Sequence, residues 1–432
     1  MKRMVIGKSS EKGFLTEQGI RKICIDAFSQ VDLENKRIIV LIPDSTRSGP
    51  VGLFFKLFCD IIGKKSKKLD FLIALGTHQP MKDEKILEFL GISADERKNK
   101  YGKFNIFNHR WDIPGTFKTI GKISADEIHE ISGGLFKEEV PVAINKLIFE
   151  YDLYIIYGPV FPHEVAGFSG GNKYLFPGIA AFEIINFFHW LGAMITNIKI
   201  NGVKHTPTRK IIDRAASFLK IPSLCFCSVV EGNKLKGLFA GKTEEAWSHA
   251  ADLADKVHIV YKDRRFKKIL GIAPKMYDDI WTAGKVMYKL ESIVEDGGEL
   301  IIYAPHITEV SYTHGKNLDE IGYHVRDYFL KQTDMFSDIP GCVMAHSTHV
   351  KGMGTFENGI ETPRINVTLA TGIPEERCEK INLGYRNPAD INISEWEGRE
   401  KEGILVVHNA GEVLHRLKYG KRKTGIKYRQ IF

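Results

Sequence analysis

Leu153-Tyr-Ile-Ile-Tyr-Gly158-Pro-Val-Phe-Pro-His163-Glu-Val-Ala-Gly-Phe-Ser-Gly-Gly-Asn-Lys173 decides how this chain is read. The apolar run from Leu153 to Tyr157 has strand composition. It leads into a glycine-rich turn, then Pro177-Gly178 and a helical run that reaches Phe188-His189. Strand, loop and helix in that order make one unit of an α/β fold, and the loop at the strand end is where such folds keep their chemistry. This unit carries two imidazoles and an amine. Such groups ligate metals, move protons or bond covalently to a cofactor.

Working outward, residues 37–42, 71–75 and 224–230 read as further buried strands. Residues 52–62 read as a helix, and so do residues 208–219, which Thr206-Pro207 introduces. Alternation of this kind predicts an α/β fold with a largely parallel sheet. A second series follows the charged stretch 262–268. Its strands are expected at 269–272, 299–303 and 404–407, with a helix over 279–294 and further units at 316–333 and 364–369. The expected architecture is two α/β domains with largely parallel sheets and an active site in the cleft between them. Residues 1–265 form the first domain and 266–400 the second, and 401–432 pack back onto the first.

The chain has 432 residues, 43 % hydrophobic and 26 % charged, which suits a globular protein of more than one domain. No apolar run is long enough to span a membrane, and the basic N-terminus lacks the apolar segment of a leader, so a cytoplasmic location is expected. The formal charge is +8, drawn in part from Lys418, Lys421, Arg422, Lys423, Lys427 and Arg429. No nucleic-acid motif accompanies that tail, so it reads as a solvated terminus. The positive excess favours an anionic substrate or a phosphate-bearing cofactor. Cys24, Cys59, Cys225, Cys227, Cys342 and Cys378 form no Cys-x-x-Cys pair and read as buried thiols. A thiolate site built on Cys225 and Cys227 is the weaker alternative.

Three strand-end loops carry titratable groups. In Pro43-Asp-Ser-Thr-Arg-Ser-Gly-Pro50, Asp44 ends a strand and Arg47 has the fork that grips a carboxylate or phosphate. The plainer reading of that pair is a cap on the next helix. Gly76-Thr-His78 follows the next strand; Asn108-His109 lies near the same edge with a weaker claim. The third loop holds Gly167, Gly170, Gly171 and Lys173, but Asn172 and Tyr174 break the phosphate-loop pattern, so a Walker-type site is rejected. Its glycines allow a close backbone approach to a ligand. Lys173 qualifies as a nucleophile if burial lowers its pKa. His189, beside Phe187, Phe188 and Trp190, reads by composition alone as a core residue.

Taken together, Asp44-Ser-Thr-Arg47, Gly76-Thr-His78, Pro162-His163, Ala166-Gly-Phe-Ser-Gly-Gly171, Lys173, Pro177-Gly178 and His189 resemble the lactate racemase family of nickel-pincer nucleotide enzymes. The resemblance is strongest over about the first two hundred residues and continues more weakly beyond them. It implies a cofactor, the nickel-pincer nucleotide (pyridinium-3,5-bisthiocarboxylic acid mononucleotide nickel), attached at Lys173 with His189 as the imidazole ligand of nickel. Soft sulfur donors and square-planar geometry suit that metal. It further implies that Asp44, Ser169, Gly170 and Gly171 lie near the cofactor and that Arg47 orients the substrate carboxylate. His78 and His163 are implied as the two catalytic bases on opposite faces of a 2-hydroxy acid. The implied reaction inverts C2 by reversible hydride transfer to the cofactor through a planar 2-oxo acid.

The second domain departs from the pattern. Trp281-Thr-Ala-Gly-Lys285 stands where the family has Tyr-Gln-x-x-Lys. Lys285 is kept, while Trp281 and Thr282 change the pocket wall. A changed wall implies a changed substrate tail. The expected substrate is therefore not lactate but a longer or polyhydroxylated acid, such as an aldonic acid. Tyr312, His314 and His346-Ser-Thr-His349 are further candidates for that wall, or else exposed loop residues. The implied partners are the small acid itself and the proteins that build the cofactor, with no nucleic acid and no membrane. Two other readings stay open. One is a zinc-type metal-dependent hydrolase or lyase with His78, His163 and His189 as ligands. The other is a non-catalytic protein that binds the cofactor or a sugar acid.

Overall fold

A computed structural model describes residues 4–10 and 12–418. The tail residues Lys421, Arg422, Lys423, Lys427 and Arg429 lie outside the described residues. Two sheets organise the molecule, and the fold is mixed α/β with mostly parallel strands, as the alternation predicts. The larger has seven strands in the spatial order Ile6–Ser9, Lys234–Gly241, Ser223–Glu231, Leu153–Pro159, Arg37–Ile42, Lys68–Ile73, Ile106–Asn108. From Ser223–Glu231 onward the pairings are parallel; the two strands at the other edge are antiparallel.

The strand order fixes where a ligand belongs. The chain builds outward in one direction from Arg37–Ile42 and later starts again on its other side with Leu153–Pro159. Loops leaving two such neighbours diverge to opposite faces and leave a crevice at the carboxyl ends. The Asp44–Arg47 loop leaves one of these strands and the His163 loop leaves the other. Apolar sequence explains the burial around them. Helix Val51–Ile62 buries Phe54, Phe55 and Phe58, and Phe54 stacks on Tyr157 of the adjoining strand with centroids 3.8 Å apart. Helix Pro207–Ala216 starts where its signal lies: Thr206 Oγ1 accepts from Arg209 N at 3.1 Å, and Pro207 occupies the first turn.

The second sheet is wholly parallel: Gly384–Tyr385, Asn366–Thr371, Val294–Ala304, Phe266–Ile272, Ile404–Val407. Ile404–Val407 is its edge strand, after which Leu414–Leu417 returns to pair with Ile259–Lys262. The helix expected over 279–294 is broken into Ile280–Ala283 and Lys285–Leu290. One apolar cluster runs from the first sheet, through helix Phe182–Ile195, into the second sheet. Polar ties cross there as well. Asn197 Nδ2 donates to Glu291 Oε2 at 2.9 Å and to the Tyr288 carbonyl at 3.1 Å.

Gly158 is packed without space for a side chain. A Cβ built on it would lie 1.8 Å from the Tyr174 hydroxyl, and Tyr174 lines the cleft. Gly158→Ala is expected to displace that ring and cost roughly 1–3 kcal/mol. The shift of the urea midpoint measures it; an unchanged midpoint contradicts the packing. Among the described residues, no helix is long and apolar enough to cross a membrane.

Candidate active site

The three loops converge on one cleft with about 1120 Å³ of empty space, open to solvent. Asp44, Arg47, His78, His163, Ser169, Gly170, Lys173 and His189 line it from the first half of the chain, and Trp281 and Lys285 line it from the second.

His78 and Asp44 form a dyad. His78 Nδ1 lies 2.5 Å from Asp44 Oδ2, and Asp44 Oδ1 accepts from Thr46 N at 3.0 Å and Thr46 Oγ1 at 2.8 Å. Burial works to raise the Asp44 pKa, but the His78 ring, Thr46 and the Lys285 ammonium outweigh it and hold the carboxyl far below the usual range. An ionised carboxylate on Nδ1 keeps hydrogen there and leaves Nε2 free to take a proton. Trp111 Nε1 donates to the His78 carbonyl at 2.8 Å and steadies the loop.

His163 is arranged differently. Its Nδ1 accepts from Val165 N at 3.1 Å and Ala166 N at 3.4 Å. The neutral ring therefore carries its hydrogen on Nε2 and acts as a donor in this arrangement. Burial, with the Lys173 and Arg47 charges, pushes its pKa far down. The two histidines share a cleft but are not equivalent.

The glycine loop is braced from behind. Ser169 Oγ accepts from Phe161 N at 2.9 Å, Trp247 Nε1 donates to the Ser169 carbonyl at 2.8 Å, and the Arg209 guanidinium donates to the carbonyls of Phe168 and Gly170. Gly170 and Gly171 have φ near +80° and +60°, and Cβ atoms there would press on Val160 and Trp247. They allow the loop to pack against these neighbours, a use distinct from the ligand approach expected of them. Gly171 does not line the cleft.

Lys173 emerges from this brace. Burial first, then the Arg47 charge, lowers its pKa to about 7. Its amine has no hydrogen-bond partner among the described residues. The His189 pKa is pushed down to about 3, by burial and then by the Lys173 charge. His189 Nδ1 donates to the Ile185 carbonyl at 2.7 Å, which fixes the tautomer and leaves the Nε2 lone pair available to a metal. Arg47 also lines the cleft, and among the described residues it forms no ion pair or side-chain hydrogen bond.

From the second half, Lys285 Nζ donates to the Thr46 carbonyl at 3.2 Å; burial, then Arg47, lowers its pKa to about 7. Trp281 is held between His314 and His346, with ring centroids 4.4 and 4.3 Å away. Thr282 is not on the wall. Its hydroxyl donates to Asp279 Oδ1 at 2.9 Å, inside the turn that starts the helix, and it does not line the cleft. Of the further candidates, His346 and His349 line the cleft, while His314 is buried behind Trp281 and Tyr312 is exposed. His109 is buried away from the site against Asn145 and Phe117. Cys225 and Cys227 are buried free thiols with Sγ atoms 3.5 Å apart.

Sequence reasoning gave no role to Glu164, Lys289 or Tyr288. Lys289 stands four residues after Lys285, a spacing that shares a helix face, and it donates to the Pro162 carbonyl beside His163. Lys173, Lys285, Lys289 and Arg47 thus put four basic groups around two carboxylates, Asp44 and Glu164. The arrangement suits an anionic ligand.

Burial is expected to make the protein acid-labile. The histidine pKa falls to about 4 at residues 109, 314, 349 and 415, to about 3 at 189 and 258, and well below its ordinary value at 163 and 346. Each shift is led by burial. Unfolded histidine titrates near about 6.5. Below that pH the unfolded chain binds protons that the folded chain refuses, so stability present at neutral pH is lost as the pH falls from about 6.5 toward 4. The raised pKa values of Asp213, Asp255, Asp279 and Glu291 oppose this but come from fewer groups. The urea midpoint is expected to be lower at pH 5 than at pH 7.5; an equal midpoint contradicts it.

A sequence model of the lactate racemase N-terminal domain matches residues 15–201. Lactate racemase from Thermoanaerobacterium thermosaccharolyticum is 27 % identical over 278 residues, 62 % of this chain and 60 % of the relative. Lactate racemase from Lactiplantibacillus plantarum is 25 % identical over 302 residues, 69 % of this chain and 66 % of the relative. The matched region thus spans under two thirds of either relative's length. Among solved structures, a protein from Thermotoga maritima superposes with a TM-score of 0.87 at 32 % identity, covering 95 % of this chain and all of that one. The lactate racemase apoprotein from T. thermosaccharolyticum shares the fold, with a TM-score of 0.68 at 20 % identity over 95 % of this chain and 94 % of that one.

Proposed function

We propose, from the premise that this chain belongs to the lactate racemase family, that it is a 2-hydroxy acid racemase or epimerase working in the cleft between its two sheets. The observation that carries this reading is the His78–Asp44 dyad at 2.5 Å in one cleft with His163 and the unpaired Arg47. A carboxylate clamp beside groups that exchange a hydroxyl proton is the machinery such a substrate needs.

The residues fit the family's nickel-pincer nucleotide. His189 offers an oriented Nε2, Lys173 offers an amine whose pKa burial lowers to about 7, and the cationic cleft suits a phosphate. Lys173 would hold the group covalently and His189 would ligate its metal. When bound, that group supplies a reversible acceptor for the hydrogen on C2.

The chain's own residues supply the rest. Arg47 and Lys285 hold the substrate carboxylate, so a planar 2-oxo acid can turn without leaving. His78 Nε2 takes the hydroxyl proton while Asp44 holds the ring and stabilises its charge. His163 is assigned as the second base; with Nδ1 occupied by backbone N–H groups, its Nε2–H is what it can offer to the substrate oxygen. Taking a proton there requires its ring to exchange the backbone bonds of Nδ1, so the two histidines contribute unequally. Trp281 in the wall supports a substrate other than lactate, a longer or polyhydroxylated acid. Proteins that make the cofactor complete the system.

The test is to load the protein in a host that makes the cofactor, incubate it with single enantiomers of a panel of 2-hydroxy acids, and follow optical purity. Inversion of at least one member is expected; inversion of none removes the proposal. Among the described residues no group of three His, Cys, Asp or Glu side chains is placed to hold a metal by itself, so a zinc-hydrolase reading gains no support.

A further inference from the structure

Glu164 is the carboxylate that the mechanism above leaves unused. It lines the cleft beside His163, and its side chain is only 14 % exposed. Burial works to raise its pKa, but Lys289, Arg47 and its own backbone N–H outweigh that and keep it ionised. An ionised carboxylate only accepts hydrogen bonds and has about four acceptor positions. Among the described residues no side chain donates to it. His163 Nδ1 lies 3.5 Å away, but that nitrogen accepts from Val165 and Ala166 and has no hydrogen to give in the neutral ring. Across the cleft stands His349, buried, whose Nε2 has no partner among the described residues. The Glu164 carboxylate opens onto the cleft with acceptor positions free, so a ligand donor can reach it.

The chemistry narrows the ligand. Arg47 and Lys285 serve the carboxylate at C1. A second carboxylate would be repelled by Glu164, and a methyl tail would leave it unpaired. A hydroxyl satisfies it. We infer that Glu164 determines substrate specificity by accepting a hydrogen bond from a hydroxyl on the acid's tail, so that the site selects hydroxylated 2-hydroxy acids over lactate and dicarboxylates. The inference rests on the racemase reading and names its substrate class. The cofactor's ribose is the other possible hydroxyl donor. The substrate is favoured because Glu164 adjoins His163 and faces Lys289 and His349 of the second half, whereas the loop leading to Lys173 is braced on Arg209 and Trp247.

The experiment uses cofactor-loaded wild type, Glu164→Gln and Glu164→Asp. It measures kcat and KM for lactate, malate, glycerate and four- to six-carbon aldonic acids, and the intact mass of each protein. Wild type is expected to favour hydroxylated acids, chiefly through KM. Glu164→Gln should shrink the ratio of kcat/KM between hydroxylated and unhydroxylated acids by about 10–100-fold, with the mass of the attached group retained and partial rescue in Glu164→Asp. A wild type that prefers lactate or malate overturns the inference even if no variant folds. So does a Glu164→Gln protein that loses the attached mass while keeping the ratio, since Glu164 then serves the ribose. Turnover of no acid by wild type overturns the racemase reading and this inference with it, and is distinguished by the absence of any inversion.

Discussion

Lys173→Ala is expected to abolish both the attached prosthetic group and inversion of any 2-hydroxy acid. Burial prepares the amines of both Lys173 and Lys285, but Lys285 is committed to the Thr46 carbonyl, while the Lys173 amine has no hydrogen-bond partner among the described residues. A desolvated amine beside a guanidinium loses its proton near pH 7, so it is available for acylation where an exposed lysine is not. The variant should fold, since the Lys173 amine makes no hydrogen bond that alanine would break. Intact mass of protein from a cofactor-making host reads the outcome: added mass on wild type, none on Lys173→Ala, with no residual inversion. An adduct that survives on the variant places the attachment elsewhere.

The second large effect is at the dyad. His78→Asn removes the group that takes the hydroxyl proton, and Asp44→Asn removes the carboxylate that fixes its tautomer. Each is expected to lower kcat by roughly 10²–10⁴-fold, equivalent to about 2.7–5.4 kcal/mol at the transition state. The double variant should be scarcely worse than either single one, because the pair acts as a unit. Attached mass should persist in all three, which separates loss of proton transfer from loss of the cofactor. Additive losses would show that Asp44 acts independently of His78. His163→Asn is expected to lower kcat unequally in the two directions of inversion, as its Nδ1 is occupied by backbone N–H groups, while kcat/KM falls by the same factor in both because the equilibrium constant fixes that ratio.

Much of this site was legible because it is local. Asp44, Arg47, His78 and His163 follow strand ends of the larger sheet within a few residues, so a correct strand assignment carries them to one sheet edge; Lys173 comes later, past the short strands Pro162–His163 and Gly167–Phe168. His189 needed the resemblance, because a histidine amid Phe187, Phe188 and Trp190 has the composition of a core. What stayed hidden is tertiary. Helix Gly341–Lys351 is buried along nearly its whole length, so its sequence has no apolar stripe to decide between the two readings of His346 and His349, cleft wall or exposed loop. The resemblance implied Thr282 as a wall residue, but Asp279 captured its hydroxyl to start the helix. Gly170 and Gly171 looked like a ligand cradle; Gly170 lines the cleft, and both glycines also give clearance to Val160 and Trp247, a packing use that the sequence did not show. Glu164 was visible beside His163, yet only the cation cluster from the second half gives it meaning.

In the proposed reaction His78 and His163 exchange the hydroxyl proton, and the bound group would supply the acceptor for the hydrogen on C2. A single enantiomer of substrate carrying deuterium at C2, turned over by the loaded enzyme in ordinary water, separates this from deprotonation at carbon. The inverted product is expected to keep its deuterium. Inverted product with solvent hydrogen at C2 would contradict the account.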